Sequence, residues 1–239
     1  MKIKCILTNS KDYKSFCGLE NSIYTVKISK QYKYWYYDLC DMIDFYRDSS
    51  VELILDVSDD DIELARSLYG SHSYDESHLR EYEPTVMVHT TTFEAYKEII
   101  ADGSIKCWNM LKQQRESYED KPIGSLLGDI EDFSYYVMLS PIDVNNEIIV
   151  VSKQKGKIDI NPNQIYQSGC RFYLDAKRLA NDGLLLRDGQ HIKVRNEIQL
   201  DKYLIWYSTA ERIGLPVETT PKEFFEQSNR KFGEIYAKY

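Results

Sequence analysis

The sequence predicts an α+β protein, with a small N-terminal α/β unit over residues 1–83 and a β-rich domain with peripheral helices over residues 84–239. The composition is typical of a globular chain with a sizeable core, because 43% of the 239 residues are hydrophobic and 28% are charged. Segments with alternating apolar residues, which indicate strands, are interspersed with segments of helical spacing. Residues 71–84 are polar and show no apolar period, so the boundary between the two parts is predicted there.

The N-terminal unit is predicted to follow the order β-β-α-β-α. Its strands are expected over residues 2–8, 22–29 and 51–57, and its helices over residues 32–46 and 59–69. Trp35, Leu39 and Met42 recur at steps of three and four, which indicates the first helix. The second helix begins with an acidic turn, as the helix dipole favours, and Gly70 ends it.

The second part opens with the apolar run Val86–Val88, which ends on His89 and leads into a short helix. Thr91 and Glu94 fit a capping box for that helix, and Gly103 stops it. The remaining pattern predicts a long loop over 112–131, strands over 135–140, 147–151, 171–175, 184–186, 191–194 and 203–207, and helices over 176–181 and 221–236.

The charge of the chain argues against a protein built around nucleic-acid binding. The formal net charge is −8 and the isoelectric point is about 5.1, whereas such proteins usually carry a basic face. Two basic clusters, at 153–157 and 177–195, are candidates for local grooves. Solvated surface charge is the favoured interpretation of both clusters.

Cysteine and hydropathy patterns predict a cytoplasmic protein with no membrane partner. The five cysteines are scattered without CxxC spacing, which favours free thiols in a reducing compartment and no zinc site. His72 and His78 have no cysteine beside them, so no metal site is expected there. The first apolar run is too short for a signal peptide, and no run approaches the ~18 residues of a membrane span.

Two well-separated segments together resemble one enzyme family. Gly169–Val194 contains a strand, an Asp-Ala helix start, the pair Asp182-Gly183 and a hairpin, and Ile198–Leu204 follows it. This order resembles the C-terminal half of the RNA 2'-phosphotransferase family. That family also places His-Gly-Thr on a strand before a helix, and His89-Thr90-Thr91 is similar to it. The resemblance covers roughly residues 84–210 and implies the wider ADP-ribosyltransferase fold, in which NAD binds in a cleft of a split β-sheet.

The resemblance also implies roles for individual residues. His89, with Thr90 beside it, would hold the adenosine-side ribose of NAD. Tyr135 or Tyr136 would stack on the nicotinamide, and Ser140 would line the cleft. We take Tyr136 as the candidate cofactor-binding ring.

The catalytic position has two candidates. Cleavage of the nicotinamide–ribose bond develops oxocarbenium character, so a carboxylate near that ribose stabilises the transition state. Glu197, in the pair Asn196-Glu197, is the favoured carboxylate, since an acid is needed if ADP-ribose is transferred. The alignment through Asp182-Gly183 instead places Gln190 or His191 at the equivalent position, so His191 is the second candidate.

The resemblance therefore predicts an NAD-dependent ADP-ribosyltransferase, as a toxin or defence factor, whose acceptor is a protein, a nucleic acid, a small molecule or water. The N-terminal unit is expected to choose the target of the enzyme or to restrain the enzyme. One alternative is transfer of an RNA 2'-phosphate to NAD, although no arginine adjoins the predicted strand over residues 135–140, where that family has one. Another is a binding module without turnover, because Met138 stands where the family has a different residue.

Overall fold

Two larger β-sheets organise the chain. The computed structural model describes residues 2–47, 49–70, 78–115 and 131–237. In these residues the protein has a mixed α+β architecture, as predicted, and each larger sheet has its own apolar cluster. No helix in these ranges is long and apolar enough to cross a membrane.

The N-terminal sheet contains four strands and packs against two helices. Its elements are β1 (Lys2–Thr8), β2 (Ser15–Glu20), β3 (Ile23–Ser29), α1 (Trp35–Arg47), β4 (Glu52–Asp56) and α2 (Asp59–Tyr69). The strand order is β2-β3-β1-β4, and β1 runs parallel to both of its neighbours. Leu39 and Met42 on α1 are buried with Ile3 and Val26 of the sheet, which explains their helical spacing.

Strand β2 is absent from the predicted order of this unit. It lies at the sheet edge and pairs antiparallel with β3. Phe16 and Leu19 are 55% and 54% exposed there, so the strand lacks the alternation that burial on one face imposes. Asn21 and Ser22 form the turn with φ of 49° and 65°, the conformation that a two-residue hairpin favours. This Asn-Ser pair was the available sequence signal.

The second part contains ten strands and seven α-helices among the described residues. In chain order they are β5 (Val86–Thr91), α3 (Phe93–Asp102), β6 (Ser104–Lys106), α4 (Trp108–Gln114), β7 (Tyr136–Pro141), α5 (Glu147–Lys155), β8 (Tyr166–Gln167), β9 (Cys170–Asp175), α6 (Ala176–Asn181), β10 (Leu185–Arg187), β11 (Ile192–Arg195), β12 (Glu197–Gln199), α7 (Leu200–Tyr203), β13 (Leu204–Ser208), α8 (Ala210–Ile213), β14 (Glu218–Thr219) and α9 (Pro221–Tyr236). A 3-10 helix, Glu131–Tyr135, precedes β7.

Six of these strands form one sheet, in the order β10-β11-β7-β5-β9-β13. If these six strands are numbered 1 to 6 in chain order, their order across the sheet is 4-5-2-1-3-6. Strand β5 pairs with β9 over six positions but with β7 over two, Met87 with Pro141 and Val88 with Ser140. The pairing of β5 with β7 therefore ends just before His89.

Two local predictions are wrong. Residues 147–151, predicted as a strand, begin α5 instead. Glu147, Val150 and Val151 are buried there while Ile149 is 43% exposed, which is the spacing of a helix face rather than of a strand. Thr92, not Thr91, caps α3, because its Oγ1 accepts from the Ala95 N–H at 3.3 Å.

Part of the predicted long loop is helical, since α4 extends to Gln114. Residues 116–130 of that loop lie outside the described residues, and so does His72. All five cysteines are free thiols, as predicted.

Residues 78–83, which we call the strap, join the two parts through two buried ion pairs. The two terminal nitrogens of Arg80 donate to Asp41 on α1 at 2.6 and 2.8 Å. Glu83 accepts from Arg187 on β10 at 2.5 and 2.6 Å. The backbone N–H of Arg80 also donates to Glu83 at 2.9 Å, so the two pairs are linked. The C-terminal half of the predicted polar boundary is therefore a buried connection between the two sheets.

Candidate functional site

A cavity of about 200 Å³ lies at the end of β5, beyond the last residue that pairs with β7. Its walls come from the junction of β5 with α3, from β6 and α4, and from one side of α5. Two of the four predicted cofactor-binding residues, His89 and Thr90, line it. The other polar or aromatic residues that line it are Thr91, Thr92, Glu98, Asp102, Ser104, Lys106, Trp108 and Lys153.

The ring of His89 is held in one tautomer. Its Nδ1 lies 3.1 Å from the backbone oxygen of Met138 on β7. Because a carbonyl oxygen only accepts, Nδ1 carries the proton and Nε2 is left as an acceptor. Burial lowers the pKa of His89, and the nearby Lys153 lowers it further, against an opposing effect of the Met138 bond. The ring is therefore neutral at pH 7 and can accept a hydrogen bond from a hydroxyl group.

Local packing explains how the junction of β5 with α3 is held in place. Val86–Val88 are buried, and β5 is paired along its length with β9. Gly103, with φ of 68°, ends α3 in the left-handed conformation that glycine favours. A Cβ at Gly169 would lie 1.8 Å from the backbone oxygen of Thr91, so only glycine permits this approach of β9 to β5.

The cavity wall combines positive charge with an unsatisfied hydroxyl. Lys106 Nζ donates to Asp102 at 3.0 Å and to Gln114 at 3.1 Å, which fixes its position in the wall. Lys153, on α5, also lines the cavity. Thr90 Oγ1 is buried and has no hydrogen-bond partner among the described residues. Buried polar atoms are normally paired, so this hydroxyl points to a polar ligand or an ordered water.

The other two predicted cofactor-binding residues do not line the cavity as the described residues form it. Tyr136 faces the N-terminal part, with its ring centre 6.0 Å from that of Phe45 on α1. Lys193 Nζ lies 4.5 Å from the centre of the Tyr136 ring. Ser140 is half-buried opposite Val88, in the paired part of β5 and β7. The cavity that the described residues form therefore brings together His89 and Thr90 but not Tyr136 and Ser140.

Glu197 lies one strand away from the cavity. It is directly opposite Lys106 in the antiparallel pair of β12 with β6. Residues directly opposite in such a pair project to the same face, with Cβ atoms about 5 Å apart. Glu197 is half-buried and shares the face of a cavity-lining lysine, but it does not line the described cavity itself.

The alternative catalytic position lies under the N-terminal part. His191 Nδ1 is 3.3 Å from Asp188, and the His191 ring meets Phe133 edge-on at 5.0 Å. Gln190 Oε1 is buried and has no partner among the described residues. Burial opposes ionisation of Asp188, but Lys193 and His191 outweigh it and hold its pKa well below the usual range.

The second predicted basic groove is not a continuous basic surface. Two of its members, Arg187 and Lys193, are 3% and 0% exposed and are paired with Glu83 and Asp188. These pairs neutralise the charge inside the protein. Arg195 remains exposed and stands directly opposite Tyr136 in the pair of β11 with β7.

A buried acid beside the cavity went unpredicted. Glu147, on the helix that carries Lys153, accepts from the Tyr166 hydroxyl at 2.8 Å. Its other oxygen lies 4.0 Å from Arg171 Nη1, and both side chains are 0% exposed. Burial raises the pKa of Glu147 to about 7, although Arg171 and Tyr166 oppose this. No local sequence pattern indicates this acid, because Glu147 begins an apolar run that is typical of a strand.

Among the described residues, no group of three or more histidine, cysteine or acidic side chains is placed to hold a metal ion. The arrangement around His89 instead suits a ligand with hydroxyl and anionic groups. Comparison of the chain with protein-family models, curated proteins and solved structures found no match.

Proposed function

We propose that this protein is an NAD-dependent transferase of the ADP-ribosyltransferase fold, which cleaves the nicotinamide–ribose bond and passes ADP-ribose to a protein or nucleic-acid acceptor. The observation that carries the proposal is the position of His89. Its neutral ring lies where β5 parts from β7, bonded to one strand and facing a cavity on the other side.

The residues of the cavity suit the adenosine half of NAD. His89 Nε2 accepts from a ribose hydroxyl, and the unpaired Thr90 Oγ1 offers a second polar contact. Lys153 and Lys106, which shares its charge with Asp102, bring ammonium groups to the cavity wall and can meet a pyrophosphate. Trp108 adds an aromatic surface for a base.

The carboxylate assigned to the reaction is Glu197. It shares a face with Lys106, whereas His191 is bonded to Asp188 beneath α1. A ligand that extends from the cavity over β6 approaches Glu197 without crossing the second sheet. Near the reacting ribose, this carboxylate stabilises the positive charge of the transition state.

Calorimetric titration with NAD tests the binding site. His89→Asn retains a side-chain N–H toward Met138 but removes the acceptor Nε2. We expect wild type to bind NAD, and His89→Asn to lose the heat of binding while unfolding at a similar temperature. His78→Asn, at an exposed position, is the control and should bind as wild type does. Equal heats for all three proteins, or none for any, would overturn the assignment.

Two observations favour two alternative functions, a binding module without turnover and transfer of an RNA 2'-phosphate. Tyr136 and Gln190 are covered, which favours a binding module without turnover. Release of nicotinamide by wild type, reduced about a hundredfold in Glu197→Gln, would exclude that candidate.

Arg195 opposite Tyr136 supplies the type of residue that grips a 2'-phosphate. Loss of the 2'-phosphate from an RNA incubated with NAD would favour phosphate transfer instead.

A further inference from the structure

Helix α1 covers the face of the second sheet at the beginning of β7. The rings of Phe45, Tyr136 and Phe133 surround the buried ammonium of Lys193 at 4.0, 4.5 and 5.0 Å. Lys193 also donates to Asp188 at 2.5 Å. Phe45 belongs to the N-terminal part and the other members belong to the second part. The half-buried Tyr136 ring therefore packs against Lys193 and, from the N-terminal part, against the Phe45 ring of α1.

The turn between β10 and β11 packs tightly against the backbone of α1. Gly189 in this turn has φ of 85°, and a Cβ there would lie 2.3 Å from the Asp38 backbone oxygen. The same Cβ would lie 2.9 Å from Cβ of Met42, also on α1. A real Cβ does not come this close to a backbone atom, so the turn and the helix dock only because residue 189 is glycine.

The His89 cavity is too small for a whole dinucleotide. Its volume is about 200 Å³, whereas pockets for drug-sized ligands span about 300–1,000 Å³. The beginning of β7 lies alongside the cavity end of β5, because the two strands are antiparallel. There the Asn196 N–H donates to the Tyr135 oxygen at 3.0 Å, which brings the strand of Glu197 to the same end of β7. The reacting half of the ligand is thus directed to the place that Phe45 covers.

We infer that residues 2–69 act as an intramolecular cover, which must separate from the second sheet before the nicotinamide half of NAD reaches Tyr136. This inference rests on the proposed function. With the cover docked, the cavity receives the adenosine end of the ligand, and Phe45 stands between the nicotinamide end and Tyr136. The apparent affinity for NAD is then reduced by the fraction of molecules in which the cover is open.

Two glycine variants separate the docking contact from backbone strain. Gly189→Ala introduces the clash with Asp38 and is expected to displace α1. Gly183→Ala is the matched control, because Gly183 also has positive φ, at 70°, but a Cβ there has no atom within 4 Å. Both variants carry the same kind of backbone cost, that of a side chain in the left-handed region. Only the first is expected to increase the radius of gyration in small-angle X-ray scattering.

The ligand measurement uses ADP and NAD with the full-length proteins. We expect ADP to bind wild type and both variants alike, and NAD to bind Gly189→Ala about tenfold more tightly than wild type or Gly183→Ala. Expansion of Gly189→Ala with unchanged NAD affinity would overturn the cover while leaving the proposed function intact. Failure of every protein to bind either nucleotide would overturn the proposed function, and the cover with it.

A second variant guards against misfolding of Gly189→Ala. Phe45→Ala removes the α1 ring that packs against Tyr136 and introduces no clash. The side chain is only half-buried, so the fold is expected to survive its truncation. We expect NAD affinity to rise in Phe45→Ala and ADP affinity to stay unchanged. Unchanged affinity for both nucleotides, in a variant that unfolds cooperatively, would count against the cover.

Discussion

At the scale of single residues, the buried carboxyl of Glu147 makes folding stability depend on pH. Burial raises its pKa from 4.5 to about 7. Between these values the folded protein holds a proton that the unfolded chain has released. Stability from this group is therefore complete below about pH 4.5, falls as the pH rises, and is lost above about pH 7. One pKa unit corresponds to about 1.4 kcal/mol, so the loss is on the order of 3 kcal/mol.

Glu147→Gln tests this dependence, since the amide resembles the protonated acid. We expect its free energy of unfolding in urea to equal that of wild type at about pH 5 and to exceed it by about 1–3 kcal/mol at about pH 8. Glu226→Gln, at an exposed position on α9, should follow wild type at both pH values. The prediction fails if Glu147→Gln keeps the same pH dependence as wild type.

The contrast between His89 and Glu147 shows which residues of the site the sequence reveals. His89 could be identified because it follows a buried strand and precedes a capped helix, and both signals are local. Glu147 could not, because the burial that raises its pKa, against the opposing contacts with Arg171 and Tyr166, arises only after folding. Tyr136 and Ser140 were placed on the right strand, but the sequence did not show that α1 lies over Tyr136.

At the scale of elements, the approach of β9 to the end of β5 depends on Gly169. In Gly169→Ala the new Cβ would meet the Thr91 backbone oxygen at 1.8 Å, and a backbone atom yields only if the strand end moves. That strand end carries the wall of the His89 cavity. We expect a loss of about 1–3 kcal/mol in stability and a clear loss of NAD affinity. Gly18→Ala is the control, since a Cβ there meets only ring atoms of Phe16, at 3.7 and 3.9 Å.

Thermal denaturation and NAD titration of both glycine variants test whether the close approach at Gly169 holds the cavity wall in place. If Gly169→Ala loses stability but binds NAD as wild type does, the strand end does not position the cavity. If Gly18→Ala loses as much as Gly169→Ala, the losses reflect alanine in a strand rather than the approach of β9.

Most elements were predictable because their signals are local, whereas strand pairing was not. The helix α9 has its cap at Thr220, where the hydroxyl accepts from the Glu223 N–H at 3.1 Å. The apolar run that begins α5 was predicted as a strand because its β-branched residues favour strands. Burial of one face of the helix against the rest of the fold outweighs that preference. The order of the six-stranded sheet depends on contacts between distant segments, which periodicity does not encode.

At the scale of the whole molecule, the strap shows why the relation of the two parts escaped prediction. Its sequence is polar, which is typical of a solvated linker. Arg80 lies 39 residues from its partner Asp41, and Glu83 lies 104 residues from Arg187. Burial of these charges follows from the docking of the two sheets, so only the folded structure distinguishes a linker from a connection.

Truncation of Glu83 should uncouple the two sheets. In Glu83→Ala the guanidinium of Arg187, 3% exposed, loses both of its bonds to the Glu83 carboxylate. Removal of one partner from a buried ion pair costs roughly 3–5 kcal/mol. The pair links the strap to the second sheet, so we expect calorimetry to show two unfolding transitions where wild type shows one.

Glu81→Ala provides the matched control for this experiment. Glu81 lies in the same strap, but its side chain is 67% exposed and its pair with Lys33 spans 3.4 Å. A solvent-exposed pair contributes little, so this variant should unfold at nearly the same temperature as wild type and keep one transition. A single transition in Glu83→Ala, shifted to lower temperature, would mean that the packing of α1 around Lys193 and Gly189 couples the sheets without the strap. Two transitions would mean that the cover is held closed chiefly by the Glu83–Arg187 pair.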